Sequence, residues 1–101
     1  MERLDRLLER LDYTVVQGNT QIEITEVIYD SRKVSPGCLF VCIKGAAVDG
    51  HTFAAEAVQK GAAAVLVQKE IKVPPQATVI QVADSRYALA LVSCAWFHHP
   101  A

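Results

Sequence analysis

The chain has 101 residues, 51% of them apolar, which is enough for one compact core, so a single domain spanning residues 1–101 is expected. The formal net charge is −1 and no basic stripe occurs, so neither a nucleic acid nor an anionic membrane surface is an expected partner. No apolar run approaches the ~20 residues of a membrane span and no secretory signal pattern opens the chain, so a cytoplasmic location is expected.

The N-terminal part predicts one helix and two short strands. Leucines at helical spacing predict an amphipathic helix from about Glu2 to Leu11, packed by its leucine face. Tyr13–Val16 and Ile22–Ile24 have the composition and alternation of short strands. Ile22 and Ile24 are at even-numbered positions, whereas the apolar residues Val27 and Tyr29 are at odd-numbered ones. We therefore expect a bulge or a break near Glu26.

The remainder predicts alternating strands and helices, with Gly61 ending the first helix and Asp84 capping the last. This alternation predicts an α/β fold in which a small mixed or parallel sheet is flanked by helices. The last helix is apolar on nearly every side, so we expect it to be sandwiched or covered by a neighbouring domain. The predicted elements are strand Cys38–Ile43, helix Thr52–Lys60, strands Ala63–Val67 and Thr78–Val82, and helix Ser85–Phe97.

Cysteine and histidine positions argue against a metal site or a disulfide framework. Cys38, Cys42 and Cys94 form no CxxC pair and lie in apolar segments, so reduced and buried thiols are expected. His98 and His99 are adjacent at the end of the predicted helix, where neighbouring residues point to different sides, and no third ligand is spaced to join them, so no metal is expected. No GxxxxGK[ST] loop occurs, so nothing here predicts a P-loop for ATP.

The stretch from Tyr29 to His51 is the most informative part of the sequence. Asp30-Ser31-Arg32 follow an apolar segment, and Ser35-Pro36-Gly37 then turn the backbone into a wholly apolar strand. Two polar loops therefore flank one rigid element, as in many ligand sites. From the residues alone, the Ser31 hydroxyl is more simply a turn group than a ligand contact. The second loop carries, in order, Lys44-Gly45, Ala46-Ala47-Val48 and Asp49-Gly50-His51, and Asp49 is favoured as a helix cap.

This stretch resembles the signature of the N-terminal domain of the Mur ligases, which build the peptide stem of bacterial peptidoglycan. The family pattern is a DSR triplet, a Pro-Gly turn, an LFV-type strand, a glycine, Asp-Gly-His and a helix that ends in Gly-Ala. The resemblance covers most of the chain. The matching residues are Asp30-Ser31-Arg32, Pro36-Gly37, Leu39-Phe40-Val41, Gly45, Asp49-Gly50-His51 and Gly61-Ala62.

Within the family, Tyr13–Asn19 and His99–Ala101 most resemble the member that adds meso-diaminopimelate or L-lysine to UDP-MurNAc-L-Ala-D-Glu. One alternative is the member that adds D-Ala-D-Ala, and another is a stand-alone nucleotide-sugar-binding or scaffold module. The resemblance implies that residues 1–101 form the UDP-sugar-binding N-terminal domain, without a cofactor or a catalytic residue, and inactive alone. It also implies a central domain that uses ATP and Mg²⁺, and a C-terminal domain, both outside these residues.

The resemblance further implies which residues contact the UDP portion of the substrate. In the family these are the residue before the aspartate of the triplet, here Tyr29, and the serine of the triplet, here Ser31. Tyr29 stands where some relatives have an aliphatic residue. The tripeptide after the loop glycine also meets the UDP, and here it is Ala46, Ala47 and Val48. The candidate cationic partners of the diphosphate are Arg32, Lys44 and His51.

Overall fold

A five-stranded sheet forms the centre of the structure, a computed structural model that describes residues 2–98. The strands are β1 (Glu2–Arg3), β2 (Thr14–Gln17), β3 (Glu23–Ile24), β4 (Val27–Ile28), β5 (Leu39–Val41), β6 (Ala64–Val67) and β7 (Thr78–Gln81). The helices are α1 (Leu4–Leu7), α2 (Ala54–Gln59) and α3 (Ser85–His98), with short 3-10 helices at Ser31–Lys33 and Gly50–Phe53.

The sheet order is β2-β7-β6-β5-β4, and β1 pairs with β3 in a separate two-stranded ribbon. Strands β4 to β7 are parallel to one another, while β2 is antiparallel to β7. The predicted α/β fold with a small mixed sheet flanked by helices is therefore confirmed.

Strand β5 is buried on both faces, because successive side chains of a strand point to opposite sides of the sheet. Leu39 and Val41 belong to a core that includes the buried leucines of α1 and the buried side of α3. Phe40, between them, belongs to a second core on the other face, which includes Val58 of α2. A strand covered on both faces has an apolar side chain at every position, which explains the continuous apolar run in the sequence.

The first helix is shorter than the leucine spacing predicts. The expected helix from Glu2 to Leu11 is wrong in its length, since α1 covers only Leu4–Leu7. The residues before it pair with β3 instead, and the Leu4 amide donates to the Ile22 carbonyl at 2.8 Å. Tertiary pairing thus holds the residues that would otherwise form the first helical turn. The leucine face is nevertheless buried, at Leu4, Leu7 and Leu8.

The predicted break near Glu26 is confirmed, because the chain changes sheets there. Ile24 pairs with Glu2 in the two-stranded ribbon, whereas Val27 pairs with Leu39 in the central sheet. The shift of the apolar residues from even to odd positions between Ile24 and Val27 therefore coincides with the point where the chain passes from one sheet to the other.

Both predicted helix ends in the C-terminal half are confirmed. Gly61 ends α2 with a φ of +107°, a left-handed value that favours glycine. The Asp84 carboxylate accepts hydrogen bonds from the backbone N–H groups of Arg86 at 3.0 Å and Tyr87 at 3.2 Å. His98 is the last residue of α3, and His99 to Ala101 lie outside the described residues.

The described residues include neither a metal-binding cluster nor a membrane-spanning helix. Within residues 2–98, no group of three or more His, Cys, Asp and Glu side chains is placed to hold a metal ion. The same part of the chain contains no helix long and apolar enough to cross a membrane.

The three thiols do not share one environment. Cys38 and Cys42 are fully buried on the α2 side of the sheet, and burial raises the pKa of Cys42 to about 12. Cys94 is exposed, so the prediction of a buried thiol is wrong for this residue. Helix α3 packs by the side that carries Ala88 and Val92. Cys94, two positions after Val92, is turned about 200° around the helix from it and points away from that core.

We predict that the thiols differ sharply in reactivity. A cysteine reacts as its thiolate, and only where the reagent can reach the sulfur. A mild alkylating reagent should therefore modify Cys94 rapidly and leave Cys38 and Cys42 largely unmodified in the folded chain. Mass spectrometry of the labelled protein provides the measurement, with Cys94→Ser as the control that removes the rapid reaction. Rapid labelling of Cys38 or Cys42 under native conditions would contradict the buried arrangement.

Candidate functional site

Two loops meet at the carboxyl ends of neighbouring strands β4 and β5. The first loop, residues 29–33, follows β4 and ends in the 3-10 helix Ser31–Lys33. The second loop, residues 43–49, follows β5 and leads into the 3-10 helix Gly50–Phe53. Because β4 and β5 are parallel, their carboxyl ends lie at the same edge of the sheet. This is the edge at which open α/β sheets bind ligands.

An open cleft of about 600 Å³ lies between these loops and α2. Four of the residues proposed from the sequence line it: Tyr29, Ser31 and Arg32 from the first loop, and Val48 from the second. The Tyr29 side chain is largely exposed, and within residues 2–98 the Ser31 hydroxyl has no hydrogen-bond partner. The cleft therefore presents an aromatic ring and an uncommitted hydroxyl to a ligand.

The remaining residues proposed from the sequence do not line the cleft. Ala46 and Ala47 are exposed next to Val48, in a tight turn closed by the Gly45 amide on the Val48 carbonyl at 2.8 Å. Lys44 is exposed at the base of the same loop. The His51 ring is buried behind the loop.

The structure adds a wall that the sequence reading missed. Phe53, Glu56 and Lys60 line the cleft from α2 and from the residues directly before and after it. The spacing of three and then four residues places them on one helical face. That spacing was visible in the sequence, but only the position of α2 beside the first loop shows that this face borders a ligand cleft.

The first loop is held by a salt bridge within the DSR triplet. One Asp30 carboxylate oxygen accepts from the Arg32 backbone N–H at 2.9 Å and from its Nε at 3.1 Å. The other oxygen accepts from Arg32 Nη2 at 2.9 Å. These bonds from Arg32 lower the pKa of Asp30 to about 2. Both carboxylate oxygens thus accept hydrogen bonds from Arg32, while the Arg32 side chain stays 86% exposed at the cleft.

The second loop is organised around the Asp49 carboxylate. Its Oδ1 accepts from the His51 backbone N–H at 3.0 Å, which confirms the predicted helix cap. Its Oδ2 lies 2.6 Å from Lys69 Nζ. Lys69 first, and then the His51 backbone and ring, lower the pKa of Asp49 well below its usual range. The carboxylate stays ionised and ties the loop to the segment after β6.

His51 connects this loop to the end of β6. Its Nδ1 lies 2.6 Å from Asp49 Oδ1, and its Nε2 accepts the Gln68 backbone N–H at 3.0 Å. This pair of contacts requires the neutral tautomer with the proton on Nδ1. The Gln68 side chain in turn accepts from the Ser85 hydroxyl at 2.9 Å. Both ring nitrogens of His51 are therefore engaged inside the domain.

Gly50 is required by a close backbone approach. Its N–H donates to the Ile43 carbonyl at 2.8 Å, which closes the second loop. A Cβ at this position would lie 2.9 Å from the Ile43 nitrogen, too close for any side chain. The middle residue of the Asp-Gly-His triplet is thus glycine for a steric reason.

Comparison with known proteins identifies the family. A family model described as "Mur ligase family, catalytic domain" matches residues 23–96. The chain belongs to the Mur ligase family. The resemblance seen in the Asp30-Ser31-Arg32 and Asp49-Gly50-His51 motifs is therefore confirmed.

Curated relatives of this Mur ligase chain carry the name UDP-N-acetylmuramoyl-L-alanyl-D-glutamate–2,6-diaminopimelate ligase. The protein of that name from Clostridium perfringens is 43% identical over 97 residues, which cover 96% of this chain and 20% of the relative. Its namesake from Listeria monocytogenes serovar 1/2a is 39% identical over 98 residues, covering 97% of this chain and 20% of the relative. The chain thus spans about one fifth of the length of these relatives.

Solved Mur ligase structures share the fold. The UDP-N-acetylmuramoylalanyl-D-glutamyl-2,6-diaminopimelate–D-alanyl-D-alanyl ligase from Acinetobacter baumannii matches with a TM-score of 0.80 and 26% identity, over 93% of this chain and 21% of that one. The MurF ligase from Thermotoga maritima in complex with ADP matches with a TM-score of 0.60 and 29% identity, over 67% of this chain and 16% of that one.

We predict that His51 stabilises this Mur ligase domain through its ring contacts. His51→Ala should lower the free energy of unfolding by about 3 kcal/mol, because it leaves a cavity and an unpaired Gln68 N–H. His51→Gln should cost less, because its amide oxygen can accept that N–H. Urea unfolding of the variants provides the measurement, and equal stability of wild type and His51→Ala would contradict this role.

We also predict a specific sensitivity to acid. The pKa values of Asp30 and Asp49 are lower in the folded chain than in the unfolded one, where an aspartate has a pKa of about 4. The contribution of these two carboxylates to the free energy of unfolding is complete above the unfolded-state pKa. It is lost as the pH falls through their folded-state pKa values. The free energy of unfolding should therefore fall below about pH 4, and Asp49→Asn should make the fall shallower.

The measurement is urea unfolding at a series of pH values, with Asp12→Asn, an exposed aspartate, as the matched control. A wild-type stability that stays constant between about pH 5 and about pH 2 would contradict the prediction.

Proposed function

We propose that this domain binds UDP-MurNAc-L-Ala-D-Glu for an ATP-dependent ligase of peptidoglycan synthesis that adds meso-diaminopimelate or L-lysine. The names of relatives 39–43% identical to it favour diaminopimelate. In this proposal residues 1–101 form the UDP-sugar-binding domain, and ATP and Mg²⁺ are used by a central ATP-binding domain outside these residues. A cytoplasmic location is part of the same proposal.

The observation that carries the proposal is the position of the cleft. Tyr29, Ser31 and Val48, which the family resemblance assigns to the UDP portion, line one 600 Å³ cleft although they come from two separate loops. The exposed Tyr29 ring offers a stacking surface for a base, and the Ser31 hydroxyl offers a hydrogen bond. Ala46 and Ala47 adjoin Val48 and contribute backbone groups and apolar surface.

The charged groups around the cleft divide into two roles. The exposed guanidinium of Arg32 lies at the cleft and is the first choice for a diphosphate contact. Lys44 is exposed at the base of the second loop and is the second choice. His51 is buried with both ring nitrogens engaged, so we assign it to holding the loop in place.

The member that adds D-Ala-D-Ala is the second candidate, because solved enzymes of that name share the fold at a TM-score of 0.80. Identity favours the first candidate, at 43% against 26%. A stand-alone binding or scaffold module is the third reading. The coding sequence downstream of residue 101 distinguishes this module from the two ligases, because a ligase requires a GKT-type loop for ATP there.

We predict that the domain binds UDP in this cleft. In an NMR titration, UDP should shift resonances of residues 29–51 and of α2, while ATP should not. Ser31→Ala should weaken UDP binding about fivefold through the loss of one hydrogen bond, worth about 1 kcal/mol. Ser35→Ala, in the same stretch but away from the cleft, is the matched control.

Two outcomes would count against the uridine site. One is the absence of any shift at millimolar UDP, and the other is equal shifts with UDP and ATP. Shifts confined to residues distant from the cleft would reject the location while leaving nucleotide binding in place.

A further inference from the structure

A lysine outside the cleft holds the second loop from a neighbouring strand. Lys69 is the second residue after β6, and its Nζ lies 2.6 Å from Asp49 Oδ2 in the loop that follows β5. The two residues are 20 positions apart in the sequence. Lys69 is not one of the residues that line the cleft, so any effect of this side chain on a ligand there passes through Asp49.

Asp49 lies between the part of the loop that faces the cleft and the part that closes the loop. Val48, directly before it, lines the cleft, and the Val48 carbonyl accepts the Gly45 N–H at 2.8 Å. Gly50, directly after it, donates its N–H to the Ile43 carbonyl at 2.8 Å. A displacement of Asp49 therefore moves Val48 relative to the cleft.

The two oxygens of the Asp49 carboxylate have different partners. Oδ1 accepts the His51 backbone N–H at 3.0 Å and lies 2.6 Å from the ring Nδ1 of the same residue. These contacts are local, because His51 is only two positions away. Among the described residues, the long-range partner of the carboxylate is Lys69, at Oδ2. Lys69 thus connects the carboxylate directly to the segment after β6.

The ion pair is accessible from the Lys69 side only. The Lys69 side chain is 54% exposed, whereas that of Asp49 is 19% exposed. A substitution at Lys69 therefore removes the contact without opening a cavity in either core. Since Asp49 is largely shielded, its charge is screened less by solvent than in a fully exposed pair. An effect of Lys69 on ligand binding can thus be measured apart from an effect on folding.

We propose that Lys69 is a positioning residue for the cleft. Through Asp49 it holds the second loop in the arrangement that presents Val48 to the ligand, and it makes no contact with the ligand itself. Without Lys69 the loop also populates arrangements that do not bind, and the affinity falls with the fraction of chains that remain competent. This inference rests on the proposed binding of a UDP-linked substrate.

The test begins with calorimetric or NMR titrations of UDP into the wild type and three variants. Lys69→Met should weaken binding about fivefold, the effect of losing one partly exposed ion pair. Lys69→Arg keeps the charge and should restore most of the affinity. Lys72→Met removes an exposed lysine from the same segment that has no contact with Asp49, so it is the matched control and should bind UDP like the wild type.

A double variant tests whether Lys69 acts through Asp49. Asp49→Asn keeps an oxygen for the His51 N–H but removes the charge that Lys69 contacts. Adding Lys69→Met to Asp49→Asn should then cost little further affinity, because the two residues act as one unit. A fivefold loss in both backgrounds would mean that Lys69 contacts UDP directly, and it would overturn the positioning role.

Amide hydrogen exchange without a ligand provides a second readout. In Lys69→Met the Gly45 and Gly50 amides, which close the second loop, should exchange faster, while the amides of β6 should stay as protected as in the wild type. Unchanged exchange at both glycines would overturn the proposal. A similar loss of protection in β6 would also overturn it, because Lys69 would then stabilise the whole fold.

The outcomes separate this inference from the function on which it rests. A wild type that does not bind UDP rejects the proposed function, and the positioning role falls with it. A wild type that binds UDP, together with a Lys69→Met variant of equal affinity, overturns the role of Lys69 alone and leaves the cleft as the UDP site.

Discussion

Burial of β5 between two apolar layers fixes the register of the central sheet. Leu39 and Val41 face one core and Phe40 faces the other, so a slip of one residue would exchange the two sets. Each of these large side chains gains about 1.5–3 kcal/mol from burial, which makes a single register strongly preferred. The loops that leave β4 and β5 therefore start from fixed points at one edge of the sheet, and the cleft inherits its shape from that register.

The charges of the two loops are used mostly to hold the loops themselves. Asp30 binds Arg32 within the first loop, and Asp49 binds His51 and Lys69 across the second. Each loop thus has an ionised carboxylate whose two oxygens are both in contact with groups of the chain itself. What remains open at the cleft is an aromatic ring, a hydroxyl, an exposed guanidinium and the two charged groups of α2.

The connection from the second loop continues into the body of the domain. His51 bonds to the end of β6, and Gln68 there bonds to Ser85 at the start of α3. Through these two steps the loop is braced against the longest helix of the domain. A site built in this way is preorganised, because the loop does not have to be ordered when a ligand arrives.

Local patterns in the sequence determined most of the strand and helix order, though not strand β1, as well as the break near Glu26, the α2 stop at Gly61 and the cap at Asp84. These features could be predicted because side-chain periodicity and capping chemistry act within a few residues. The family motif pointed to the two loops that border the cleft. The folded structure alone revealed the short α1, the exposure of Cys94, the Asp49 to Lys69 bridge and the α2 wall of the cleft. Each of these depends on which surfaces meet across the fold, and periodicity within one element carries no information about its partner.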